Sequence, residues 1–161
     1  MGKIVNKIKF AQRSSVEFVE EGNNLAPKFN SEDVIPVVVT ETKSGLVLML
    51  GYMNKEALEK TILTKEAHYW SRSRKALWKK GESSGMVHKI DEILIDDDQD
   101  SIWLKVTIGG LGASCHVGYK SCFYRSVDSI EKDEVILNFT ESEKVFDPEE
   151  VYPGIENPTK L

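Results

Sequence analysis

Val34-Ile35-Pro36-Val37-Val38-Val39-Thr40 and Leu46-Val47-Leu48-Met49-Leu50-Gly51-Tyr52 flank Thr42-Lys43-Ser44-Gly45, and this stretch decides the fold. Two β-rich runs joined by a short polar turn ending in glycine are the signature of a hairpin. Asn54 follows as the N-cap of a helix from Lys55 to about Leu63, with Ala57, Leu58, Thr61 and Ile62 as its buried stripe. Further strands are expected at Ala67 to Ser73, Val87 to Ile95, Ile102 to Ile108, Phe123 to Val127 and Val135 to Phe139. The stretch 75–86 and Gly109, Gly110 and Gly112 read as loops. Upstream, residues 3–21 carry Val5, Ile8, Val16 and Val19 at roughly helical spacing, as a surface helix or arm would, before a turn through Gly22-Asn23-Asn24 and Pro27. Downstream, Pro148, Pro153 and Pro158 mark the tail from Asp147 as irregular. Many strands, few helices and hairpin-length connections predict an α+β fold of mainly antiparallel strands in a single compact domain.

A chain of 161 residues with 40% hydrophobic content is long enough for one domain with a sizeable core. Its net charge of −5 argues against a general nucleic-acid or membrane-surface binder. No apolar run approaches the ~20 residues that span a bilayer. Met1 to Lys7 lead into no long apolar stretch, so a secretory signal is not expected. Two cysteines without such a signal point to reduced thiols and a cytoplasmic location.

Two segments carry ligand chemistry. Cys115-His116-Val117-Gly118-Tyr119-Lys120-Ser121-Cys122 offers soft donors, and Asp96-Asp97-Asp98-Gln99-Asp100 offers hard ones. In extended backbone Asp96, Asp98 and Asp100 would share one face, and Asp97 the other. Three carboxylates on one face call for a cation such as Mg²⁺. The glycine and glutamate positions of an EF-hand are occupied here by Ser101 and Thr107. The two cysteines can share an ion only across a turn, which Gly118 can supply, and His116 is either a third ligand or a proton shuttle. A solvated acidic turn, two buried free thiols or a disulfide are the competing readings.

Positive charge is local despite the acidic total. Arg72, Arg74, Lys79, Lys80, Lys120 and Arg125, with Ser71, Ser73, Ser83, Ser84, Gly81 and Gly85, supply the cations, hydroxyls and accessible backbone N–H groups that phosphate recognition uses. Arg72-Ser73-Arg74 also suits an exposed strand face. His68 reads as a core or edge residue, whereas His88 either packs or faces the site. Trp70, Trp78 and Trp103 read as anchors.

Leu46 to Asn54, Ser71-Arg72-Ser73-Arg74, Leu77 to Gly85, the aspartate cluster, and Cys115-His116 through Cys122-Phe123-Tyr124-Arg125 stand in one order along the chain. In these five motifs the chain resembles the phosphoribosyl-AMP cyclohydrolases, enzymes of histidine biosynthesis that hydrolyse the N1–C6 bond of an adenine ring. The resemblance covers roughly residues 34–127. It implies a family domain over 31–130, an N-terminal arm or extension over 1–30 and a C-terminal extension over 131–161.

The resemblance also implies Mg²⁺ on Asp96, Asp98 and Asp100, and Zn²⁺ on Cys115 and Cys122, with the zinc shared across an intertwined homodimer. The family pattern is Asp-Cys-Asp-x-Asp, and here Asp97 stands where its cysteine would be. A carboxylate ligates zinc at ~2.0–2.2 Å, so Asp97 is the expected substitute, harder and more weakly zinc-selective. His116, with His88 behind it, is expected to shuttle a proton. Arg72, Arg74, Lys79, Lys80, Ser83, Ser84 and Arg125 are expected to bind a phosphorylated purine nucleotide. The alternatives are a paralogue whose altered metal site acts on a related phosphorylated purine, and a non-catalytic nucleotide-binding protein.

Overall fold

The computed structural model describes residues 7–161. The opening hairpin forms β1 (Ile35–Glu41) and β2 (Val47–Met53), paired antiparallel from Ile35–Met53 to Thr40–Val47. Helix α2 (Lys55–Thr64) follows, its first turn capped by Asn54, whose Oδ1 accepts from the Ala57 N–H at 2.9 Å. Ala57, Leu58 and Thr61 are buried, as the spacing predicts. Strands β5 (His88–Ile95) and β6 (Ile102–Ile108) form a second hairpin. The sheet order is β2-β1-β6-β5, so β1 and β6 lie side by side and parallel. That one parallel pair qualifies an otherwise antiparallel fold. Local periodicity cannot reveal it, because it joins segments some sixty residues apart.

Strand β3 (His68–Ser71) is shorter than expected and pairs antiparallel with β4 (Ala76–Lys79). β4 falls inside the stretch read as a loop. Its Ala76-Leu77-Trp78-Lys79 core is only four residues long, too short to display alternation. β7 (Arg125–Glu131) and β8 (Glu134–Phe139) make a third, separate two-stranded sheet. Helix is confined upstream to α1 (Val16–Glu21), capped by Ser15, while residues 7–15 are not helical. The expected helical turn through Val5 begins outside the described residues. The tail includes one short helix, α3 (Pro148–Val151), and buries Phe146.

One face of the main sheet holds the core. Val37, Val39, Leu48, Leu104 and Val106 pack with Ala57 and Leu58 of α2 and with Tyr69. On the other face Leu50, Val38, Trp103 and Leu94 stand in register across all four strands. Leu50 and Trp103 are exposed, at 53% and 40%. Among the described residues no helix is long and apolar enough to cross a membrane.

Leu58 is 1% exposed on the helix that closes the core. Leu58→Ala is expected to destabilise the fold by about 2–5 kcal/mol, read as a lowered denaturation midpoint in urea.

Candidate active site

The loop from Gly109 to Tyr124 docks on the start of β2, where the Cys122 N–H donates to the Leu48 carbonyl at 2.7 Å and Ser121 Oγ to the Val47 carbonyl at 2.7 Å. Within it, Ser114 N–H donates to Lys120 O, Cys115 N–H to Tyr119 O and Gly118 N–H to Cys115 O. These bonds close the turn that makes the two cysteines close enough to influence each other's ionisation. Gly118 has φ +107°, and a Cβ there would lie 2.3 Å from the Phe146 carbonyl oxygen, so only glycine lets the tail pass this close. Both cysteines are free thiols.

Lys80 reaches this loop from the end of β4 and donates to the Ser114 carbonyl at 2.5 Å. Burial pushes its ammonium pKa down, and the neighbouring Cys122 and Cys115 push it back up. Its electrostatic partner is the thiol pair. The hydrogen bond from Cys122 lowers Cys115 to about 6, while burial opposes the shift and Lys80 assists it. The same bond and burial raise Cys122, so the pair holds its first negative charge readily and its second poorly.

His88, at the start of β5, is fully buried with both ring nitrogens engaged: Nδ1 with the Tyr69 hydroxyl at 3.0 Å, and Nε2 with Ser114 Oγ at 3.1 Å. Burial, reinforced by Lys80, lowers its pKa to about 3. At neutral pH this ring is neutral and fixes Ser114, and through it Lys80. His116 differs. Its Nε2 is buried without a hydrogen-bond partner, and its pKa is lowered by burial and by Lys80 against an opposing hydrogen bond from Asn157. An unpartnered buried ring nitrogen next along the chain from Cys115 is free to take a proton.

The acidic run is a turn between β5 and β6, not extended backbone, so the expected alternation does not hold. Ligand oxygens of Asp96, Asp97 and Asp98 lie within 4.8 Å of one another. Asp96 also ties the turn: it accepts from Asp100 N–H at 2.9 Å, Ser101 N–H at 3.0 Å and Ser101 Oγ. Burial works against ionisation of Asp96, but these bonds outweigh it and hold its carboxyl below the usual range. Desolvation and the neighbouring Asp96 and Asp98 push Asp100 the other way. Three close carboxylates, none ion-paired among the described residues, fit a hard cation. The two free thiols are donors for a soft one, but His116 Nε2 does not gather with them: among the described residues only the aspartates bring three ligand atoms within 4.8 Å of one another.

The two donor groups stand at opposite ends of the β5–β6 hairpin. His88 and Ile95 are seven residues apart on β5, ~23 Å in a strand. Asp97 and the thiols of one chain therefore do not meet.

The basic residues scatter. Arg72 lies 3.9 Å over the ring of Tyr52, which is level with the start of β6 across the sheet. Arg74 Nε donates to Ser71 Oγ at 3.2 Å, and its guanidinium lies 6.0 Å from the Trp78 ring. Lys79 pairs with Glu66 at 2.5 Å. Ser83 is exposed, Ser84 Oγ accepts from the Met86 N–H, and Arg125 lies over Tyr124. His68 is buried with Nδ1 on the Glu66 carbonyl, a packing role. Sequence reading passed over Tyr69 and Ser114, which anchor His88, and over Glu141, whose carboxylate accepts the Lys120 and Ser121 N–H groups. Glu141 lies twenty residues from its partners, and no spacing announces it.

A family model for phosphoribosyl-AMP cyclohydrolase matches residues 49–124, which include the β3–β4 hairpin, the acidic turn and both cysteines. A phosphoribosyl-AMP cyclohydrolase of Rhodopseudomonas palustris strain HaA2 is 50% identical over 142 residues, covering 88% of this chain and 95% of the relative. The protein of that name in Nitrobacter hamburgensis is 46% identical, over 86% and 93% of the two chains. That in Rhizobium rhizogenes strain K84 is 47% identical, over 83% and 89%. Fold, site and relatives together define an enzyme. The chain belongs to the phosphoribosyl-AMP cyclohydrolase family.

Neutral His88 has a stability consequence. Its folded pKa lies below the unfolded value, so its contribution is complete above about 6.5 and is lost as pH falls toward 3. Between pH 7 and 5, above the range where most carboxylates titrate, the wild type is expected to lose about 2 kcal/mol from this group. His88→Asn should flatten that slope in urea titrations, while His116, which shifts in the same sense, remains in both proteins.

Proposed function

We propose that the protein is a metal-dependent hydrolase that opens the adenine ring of phosphoribosyl-AMP at N1–C6 in histidine biosynthesis, acting as a homodimer. The carrying observation is the meeting of Lys80 with Cys115 and Cys122, His116 following on the same loop, in the segment that matches the family. Zinc held by Cys115 and Cys122 would supply an activated water, and magnesium on the aspartates would supply charge for a phosphate. Water adds at C6, the N1–C6 bond breaks, N1 takes a proton, and the water oxygen remains as a carboxamide oxygen. His116 Nε2 is the atom that takes and returns that proton. Lys80 holds the thiol pair in its charged form, and neutral His88 holds Lys80 through Ser114. Arg72 and Arg74, exposed on the β3–β4 hairpin, take the substrate phosphates.

Two features support a homodimer. Asp97 and the thiols lie too far apart in one chain to share an ion, so the zinc set implied by the family needs Asp97 from a second copy. Apolar surface also lies open: Val127, Ile130, Val135, Leu137 and Phe139 of the β7–β8 hairpin are each at least 45% exposed. An isolated two-stranded hairpin is marginal in water, and a second copy packed on it or on the Leu50–Trp103 face would stabilise it.

Protein stripped of metal is expected to regain phosphoribosyl-AMP turnover when zinc is added with magnesium present throughout, and Cys122→Ser is expected to abolish that recovery. Full turnover without metal, or an unaffected Cys122→Ser enzyme, would contradict the reading. Asp97→Cys is expected to retain zinc more tightly against a chelator, since thiolate is the softer ligand.

A further inference from the structure

Gln99 sits inside the acidic run, yet it is only 4% exposed. Its hydrogen bonds go to the N-terminal arm. Oε1 accepts from the Ala26 N–H at 2.7 Å, and Nε2 donates to the carbonyls of Val19 at 2.9 Å and Asn24 at 3.4 Å. Its backbone carbonyl accepts from the Lys28 N–H at 2.7 Å. Arg13 makes a second tie, donating to the carbonyls of Ala26 at 2.5 Å and Asp98 at 2.7 Å. Gln99 also has φ +58°, the left-handed conformation that turns the chain between Asp98 and Asp100. The side chain that anchors the arm therefore belongs to the residue that sets where the flanking carboxylates point. Between the arm and the turn, an open cavity of about 410 Å³ is lined by Val19, Asn24 and Leu25 on one side and by Asp96, Asp97 and Gln99 on the other.

We propose that the arm from Arg13 to Lys28 is a positioning element for the divalent-cation site of the acidic turn, at Asp96 and Asp98, with Gln99 and Arg13 as its positioning residues. The inference rests on the magnesium reading above. Carboxylates gathered within 4.8 Å repel one another, and an unsupported turn would splay until a cation drew it together. Anchoring the turn through a buried amide gathers the ligands during folding, so less of the ion's binding free energy goes into ordering them.

The test titrates Mn²⁺, a paramagnetic substitute for magnesium, into the chelator-treated full-length protein and follows the EPR signal of the free ion. Asp98→Asn, which removes a ligand, sets the background. Arg13→Met and Gln99→Met are each expected to weaken binding about tenfold or more, the scale found for groups that orient metal ligands. Leu58→Ala, which loosens the core but touches neither arm nor turn, is expected to keep wild-type affinity. Wild-type affinity in both arm variants overturns the inference, as does an equal loss in Leu58→Ala. Arg13 is exposed, so Arg13→Met decides alone if Gln99→Met does not fold. Failure of the wild type to bind Mn²⁺ above background overturns the magnesium reading and this inference with it, whereas failure confined to the variants' behaviour overturns the inference only.

Discussion

A half-buried lysine ammonium beside two neighbouring thiols is the interaction on which the rest of this site depends. Burying Lys80 disfavours its charge, and the Ser114 carbonyl and the neighbouring thiols offset that. Cys115 is the thiol whose ionisation the site favours, because Cys122 and Lys80 both push it toward the thiolate. The surrounding residues serve that pair. Ser114 gives its carbonyl to Lys80 and its hydroxyl to His88, and His88 is kept neutral by burial and oriented by Tyr69. A charged imidazole in that position would repel Lys80, so the low pKa of His88 is part of the same arrangement. The role expected of His88 as a second proton carrier suits it less well than a role as a fixed support. His116, with a free ring nitrogen, keeps the carrier's role in our proposal.

The second constraint is length. The β5–β6 hairpin separates the acidic turn from the thiol loop, and neither group can bend toward the other without breaking the sheet. A site that uses both must be assembled from two chains. The apolar row across the open face of the sheet and the exposed face of the β7–β8 hairpin provide surface for such an assembly. The chain's ends contribute within each copy: the arm holds the acidic turn through Gln99, and the tail holds the thiol loop through Glu141 and the close pass at Gly118.

Features written in local pattern were legible before any coordinates. The β1–β2 hairpin, the Asn54 cap, the α2 stripe and the full extent of β6 follow from alternation, helical spacing and capping chemistry. So does Gly118 as the turn between the cysteines. Features that depend on distant partners were not. The parallel β1–β6 pair, the four-residue β4 and the Glu141 clamp have no local signature. The acidic run misled in a particular way: treated as extended, it set Asp97 apart from its neighbours, but a turn tied by Asp96 and Ser101 brings Asp97 together with Asp96 and Asp98. Gln99 was passed over because a polar residue among aspartates reads as solvated, whereas its amide is buried against the arm.

In the proposed homodimer one functional site draws its thiols from one copy and its acidic turn from another. Subunit mixing tests it most directly. Cys122→Ser and Asp98→Asn proteins are prepared separately, each expected to be inactive on phosphoribosyl-AMP, and are then mixed under conditions that exchange subunits. Turnover is expected to return on mixing, because a mixed dimer contains one site with intact thiols facing an intact acidic turn. Proven exchange of subunits with no recovery of turnover would contradict it.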